Sequence, residues 1–255
     1  MTKKSLNDNI TIMSNFLTKI EIVKSNSEQF PFNLPLFRNG LKLVLNKPVT
    51  FIIGDNGSGK STLLEGIAYN LGFNLLGGNK NHTYESNKLL DNTNLADSLK
   101  LTWKLKTNNG FFFRAESYYE FAKYIENQAY EIGKEAFGGY GGKSLIKQSH
   151  GESFLSLFQN RFQDGIFVLD EPESALSIEK QLSLITIIND LVKTGKCQFI
   201  IATHSPLLIT IPDADIFEIK NGIIEKKSYD ETSNFILYKE FINNPEKFLK
   251  LLDVK

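Results

Sequence analysis

Val49-Thr50-Phe51-Ile52-Ile53-Gly54-Asp55-Asn56-Gly57-Ser58-Gly59-Lys60-Ser61-Thr62 is the stretch on which the reading of this chain turns. Its first five residues are apolar and β-branched, the composition of a strand buried on both faces. Gly54 to Ser61 then match GxxxxGK[ST], and Leu63 to Tyr69 continue as a helix. Strand, glycine loop and helix form the context that a phosphate-binding loop requires. Gly54, Gly57 and Gly59 let the backbone curl with its N–H groups turned inward, across Asn56 and Ser58. The helix that begins near Lys60, Ser61 and Thr62 adds the positive end of its dipole. Lys60 supplies a cation for the β- and γ-phosphates, and the Ser61 hydroxyl is suited to ligate Mg²⁺.

The bulk of the chain suits a large α/β domain. It has 255 residues, 41% of them apolar, enough for one extended core. Lys plus Arg and Asp plus Glu both number 29, so no bulk charge favours nucleic acid or an anionic membrane. Cys197 is the single cysteine, which excludes an intramolecular disulfide and fits a reducing compartment. No long apolar segment follows the N-terminal residues, and no run approaches a membrane span. The expectation is a soluble cytoplasmic protein.

Outward from the loop, 16–23 and 41–45 read as strands. Between them, Phe30-Pro31-Phe32-Asn33-Leu34-Pro35-Leu36-Phe37 forms a proline-interrupted apolar loop. Its aromatics could stack a base or plug the edge of the core. Residues 99–106 alternate, Thr107-Asn108-Asn109-Gly110 turns, and Phe111-Phe112-Phe113 returns, which predicts an antiparallel hairpin. Tyr118, Phe121, Ile125, Ala129 and Ile132 mark one face of a helix ending near Gly133. Gly138-Gly139-Tyr140-Gly141-Gly142-Lys143-Ser144 lacks both the first motif glycine and a preceding strand, and reads as a flexible loop. Further on come a strand at 165–172 with its two acids near the end, an apolar helix at 178–192 and a strand at 199–204 ending in a histidine. A hairpin at 216–226 turns on Asn221-Gly222, and the tail from Thr232 is helical, broken near Pro245.

Three apolar strands end in polar chemistry: one in the glycine loop, one in Asp170-Glu171, one in Thr203-His204-Ser205-Pro206. Open parallel sheets bind ligands at those carboxyl ends. Asp170 suits Mg²⁺, directly or through water, and Glu171 points elsewhere and can polarise an attacking water. His204 can reach a γ-phosphate; the competing reading of a lone histidine is a core residue.

On these residues the chain resembles the ABC-type ATPase superfamily. Gly54 to Ser61 match its Walker A, Ile166 to Asp170 its Walker B, Glu171 its catalytic glutamate and His204 its switch histidine. Ser174-Ala175-Leu176-Ser177 matches its D-loop, and Ser149-His150-Gly151-Glu152-Ser153 occupies the signature position. The runs Arg114-Ala115-Glu116-Ser117 and Glu171-Pro172-Glu173-Ser174 look like a group of small stand-alone AAA or ABC-like ATPases. The resemblance implies an α/β P-loop fold of the ABC-ATPase type. It would have a mixed central sheet, an antiparallel β subdomain, and a helical and hairpin subdomain at about 72–148. All of these would lie within one domain spanning 1–255.

The resemblance also implies ATP hydrolysis with Mg²⁺ at a head-to-tail homodimer. Ser149, Gly151 and Glu152 would then meet the partner's nucleotide at a helix N-terminus. His150 stands where the family has glycine, Ser177 stands where many relatives carry Asp, and Asn79, Asn81 and His82 occupy the region of the Q-loop without matching it. A soluble ATPase that drives a conformational or partner-binding switch is the leading expectation. A RecF-like DNA-associated ATPase is the alternative. A transporter subunit fits less well, because the signature is altered and the Q-loop glutamine is missing. Chromosome-structure ATPases carry long coiled coils, for which the roughly ninety residues between Ser61 and Ser149 hold no sustained heptads.

Overall fold

The computed structural model describes residues 15–25, 27–82 and 93–253. The polar N-terminal stretch and much of the polar segment before Ala96 lie outside them. The strands are β1 (Leu17–Ile22), β2 (Leu41–Val44), β3 (Val49–Gly54), β4 (Leu99–Trp103), β5 (Gly110–Arg114), β6 (Gly165–Asp170), β7 (Cys197–Ala202), β8 (Ala214–Lys220) and β9 (Ile223–Lys227). The helices are α1 (Pro35–Arg38), α2 (Lys60–Asn70), α3 (Thr93–Ser98), α4 (Tyr118–Ile132), α5 (His150–Arg161), α6 (Ile178–Lys193), α7 (Ser233–Asn243) and α8 (Pro245–Leu251).

The six-stranded central sheet runs β5-β6-β7-β3-β8-β9, parallel except for the β8–β9 hairpin. Its inner strands β6, β7 and β3 are mostly apolar and buried along their length because both faces are covered. Phe51, Phe113, Phe167 and Phe199 point to one face, where residues of α4, α5 and α6 complete a core. Ile52, Phe112, Val168 and Ile200 point to the other, against α2 and the three-stranded antiparallel sheet β2-β1-β4. Asn221 and Gly222, at φ 52° and 75°, make the β8–β9 turn. This is the mixed α/β arrangement, with an antiparallel β unit, that the sequence leads one to expect.

Three local expectations are corrected. Residues 99–113 do not form a hairpin: β4 pairs with β1, whereas β5 pairs in parallel with β6 in the other sheet. The segment between them is a crossover from sheet to sheet, not a tight turn. Phe111, Phe112 and Phe113 are all buried, so that strand needs cover on both faces, which only the central sheet supplies. The glycine-rich segment is also not a free loop. Gly133–Tyr140 is a 3₁₀ helix whose Phe137 and Tyr140, three residues apart on one side, are both in the core. In α4, Tyr118, Phe121 and Ile125 are buried as expected, but Ile132 is 57% exposed because the helix outruns the core. The apolar helix α6 likewise buries only Leu184 and Ile188. Among the described residues no helix is long and apolar enough to cross a membrane.

Candidate active site

The strands β6, β7 and β3 are consecutive neighbours, so the three polar strand ends meet at one edge. A cavity of about 690 Å³ opens there, lined by Asn56, Gly57, Gly59, Lys60, Ser61, Thr62, Glu171 and His204. Gly54, Ser58 and Asp170 are outside this lining. Gly54 sits at φ 149°, and a Cβ there would come within 2.6 Å of the Ile219 carbonyl oxygen. Gly59 caps α2 in the left-handed region at φ 98°, the conformation that turns the chain into the helix.

Lys60 is almost fully buried and folds back over its own loop, donating to the carbonyls of Gly54 (2.8 Å) and Asp55 (2.9 Å). Burial lowers its pKa, against the pull of Glu171 and Asp170. Ser61 Oγ donates to Asp170 Oδ1 at 3.1 Å. Burial raises the Asp170 carboxyl to about 6, opposed by the Ser61 bond and the Arg114 charge. A hydroxyl and a carboxylate this close are the hard oxygen donors that fit Mg²⁺, which is held by few protein groups and completed by phosphates. Arg114 lies across from Asp170 in the β5–β6 register and pairs with Glu65 of α2 at 2.5 Å and Glu116 at 2.8 Å.

Glu171 adopts φ 50°, the left-handed region that non-glycine residues rarely enter. Its N–H donates to the Ala202 carbonyl, and its Oε1 stands 3.6 Å from His204 Nε2, beyond hydrogen bonding. Glu173 is half-buried, and the desolvation of its carboxylate chiefly raises its pKa. Its Oε1 accepts from the His204 N–H at 2.7 Å.

Ser149, Gly151 and Glu152 do not line this cavity. Ser149 caps α5, and Glu152 returns to the Ser149 N–H, a complete capping box. The Glu152 pKa is lowered by those bonds to Ser149. Gly151 is needed for close approach: a Cβ would lie 2.9 Å from the Ala175 carbonyl oxygen and from Lys180 Cδ. Ser177 caps α6. The signature-like and D-loop-like segments therefore abut each other within one chain. His150 begins α5 at the surface.

Sequence reasoning left the loop before β2 open between base stacking and core, and the structure divides it. Phe32 and Phe37 are buried in the core, while Phe30, 44% exposed, lines the cavity with Leu34. No motif marks which aromatic faces which way. Glu173 and the Arg114–Glu65 pair were passed over as site residues; the run Glu-Pro-Glu in the sequence was the available signal. Asn79, Asn81 and His82 do not line the cavity. His82 is buried beneath Phe111, Phe121 and Tyr124, and Asn79 and Asn81 border a separate cleft with Lys80 and Asn108.

A family model described as an AAA domain matches residues 20–236. No curated protein matches the chain. Among solved structures, the SMC head domain from Thermotoga maritima is similar at 17% identity and TM-score 0.44, covering 84% of this chain and 98% of that one. A metal-chelate type ABC transporter in an inward-facing conformation is similar at 14% identity and TM-score 0.48, covering 88% of each chain. An SMC head bound to the C-winged helix domain of ScpA is similar at 14% and TM-score 0.48, covering 84% and 98%.

Proposed function

We propose, since this chain belongs to the AAA domain family, that it binds and hydrolyses ATP with Mg²⁺ and works as a cytoplasmic head-to-tail homodimer. Residues 1–255 act as a single ATPase domain, with 72–148 as its insertion. The observation that carries the reading is one cavity lined by Lys60, Ser61, Glu171 and His204, with Asp170 bonded to Ser61 at its wall.

In this reading the N–H groups of residues 56–62 cradle the phosphates, and Lys60 exchanges its two loop carbonyls for phosphate oxygens. Phe30 and Leu34 form an apolar wall suited to the base. Ser61 and Asp170 hold the cation, which when bound neutralises charge on the β- and γ-phosphates. Glu171 orients a water for attack on the γ-phosphorus and takes up its proton as the bond to ADP breaks. His204 donates to the γ-phosphate. Ser149 and the Gly151 N–H of a second copy close the site over that phosphate, with Glu152 ordering the cap. ATP would then assemble the dimer and hydrolysis release it, a switch available to a protein or DNA partner.

Glu171→Gln tests both halves. It keeps the shape of the site but loses the base. ATP binding should persist, turnover should fall about a hundredfold, and light scattering should show a dimer in saturating ATP and Mg²⁺. A monomer under those conditions removes the shared site.

A further inference from the structure

His204 is fixed by its backbone rather than by its ring. The ladder between β7 and β3 closes with the Thr203 N–H on the Ile52 carbonyl, so His204 is the first residue past it. Two side chains take the place of the missing strand. Glu173 accepts from the His204 N–H at 2.7 Å, and Asn234 Nδ2 donates to the His204 carbonyl at 3.1 Å. The ring itself makes no hydrogen bond through Nε2. With Nε2 unbonded, the ring depends on the backbone that carries it, and here both polar backbone groups of His204 are held.

The two grips come from distant parts of the chain. Glu173 belongs to the turn after β6. Asn234 is the second residue of α7. The root of that helix is anchored by polar contacts: Thr232 is fully buried and caps it, and the Ser233 N–H donates at 2.9 Å to Glu218, buried on β8 beside β3. Beyond its root α7 buries no side chain.

We propose that Glu173 and Asn234 are positioning residues that aim His204 into the cavity, making α7 a working part of the ATPase site. This rests on the nucleotide-site reading above. It gives α7 a mechanical connection to the γ-phosphate position: movement of α7 is movement of the His204 backbone.

The test uses the full chain with Asn234→Ala and Asn234→Asp, the latter of equal size but unable to donate. Both should lower kcat for ATP about tenfold while nucleotide affinity stays within about twofold, since only the aim of His204 changes. Adding Asn234→Ala to His204→Ala should cost nothing further. The chain has three histidines, His82, His150 and His204, so ¹³C-histidine spectra resolve the ring directly without nucleotide. In Asn234→Ala the His204 signal should move while those of His82 and His150 stay. Full turnover in Asn234→Ala, a further loss on top of His204→Ala, or an unmoved His204 signal overturns the clamp. If the wild-type chain hydrolyses no ATP, it is the function reading that fails, and the histidine signal still decides the clamp.

Discussion

Glu171 carries the clearest sign of work at the scale of one residue. Its φ of 50° costs of order 1 kcal/mol or more, and the bond to Ala202 holds it there. The turn directs its carboxylate away from Asp170 and toward the His204 side of the cavity. His82 shows the contrast of a histidine with a structural duty. The Asn79 N–H donates to Nδ1, so the proton sits on Nε2, facing the Tyr140 hydroxyl at 3.1 Å. Burial, aided by the Arg161 charge, lowers its pKa to about 4. The unfolded chain therefore binds the extra proton between about pH 6.5 and 4, and the stability that neutral His82 contributes is lost as pH falls through that window. Between pH 7 and pH 5 the wild-type chain should lose about 2 kcal/mol more stability in urea unfolding than His82→Gln does, the opposing contribution of the raised Asp170 carboxyl being common to both. A pH response unchanged by the substitution would refute the assignment. Both residues were visible in the sequence, but only Glu171 stood in a motif that announced a role. His204 ends an apolar strand in the sequence whereas His82 stands in no motif, and burial and partners separate them further.

Elements hold the site by pairings that short windows of sequence do not contain. The amide of Gln198 is an example. Gln198 sits fully buried on β7, accepts from the Leu17 N–H at 2.8 Å and donates to the Leu17 carbonyl at 2.7 Å. The β1–β2 pairing starts only at Lys19, so this side chain acts as the missing rung and ties the antiparallel sheet to the central one. Gln198→Leu keeps the bulk and leaves two buried backbone groups unpaired. It should cost about 2–4 kcal/mol, read as a lower urea midpoint with an unchanged slope. A loss under about 0.5 kcal/mol would mean that the rung is dispensable. Fully buried on an apolar strand, Gln198 gave no hint of this in sequence, because its partner lies far away in the chain. The β4–β5 segment failed for the same reason. Alternation and an Asn-Asn-Gly turn are local signals for a hairpin, and the two-sided burial of Phe111 to Phe113 overrode them.

At the scale of the whole molecule, strand order makes the site. Because β6, β7 and β3 lie side by side, Asp170, His204 and Lys60 arrive from positions far apart in the chain. The helix tip bearing Ser149 is not in that cavity, and its capping box satisfies its own first turn. A second copy is the arrangement in which that tip would serve a nucleotide. Mixing Lys60→Ala with Ser149→Arg should test it: each heterodimer keeps one intact composite site. With random pairing the mixture should recover roughly a quarter of wild-type turnover while each variant alone stays inactive. No recovery, with both variants folded by circular dichroism, would mean that each site works within a single chain.

The amino-acid order alone determined the glycine loop, the apolar strands that end in acid and histidine, and hence the chemistry available. Those are contiguous patterns, and local sterics and hydrophobic periodicity suffice to write them. Only the tertiary structure decided which strands adjoin, which phenylalanine faces the cavity, and that Glu173 and Asn234 grip the His204 peptide. Such choices depend on burial and hydrogen-bond partners tens to hundreds of residues apart, which no contiguous window of the chain encodes.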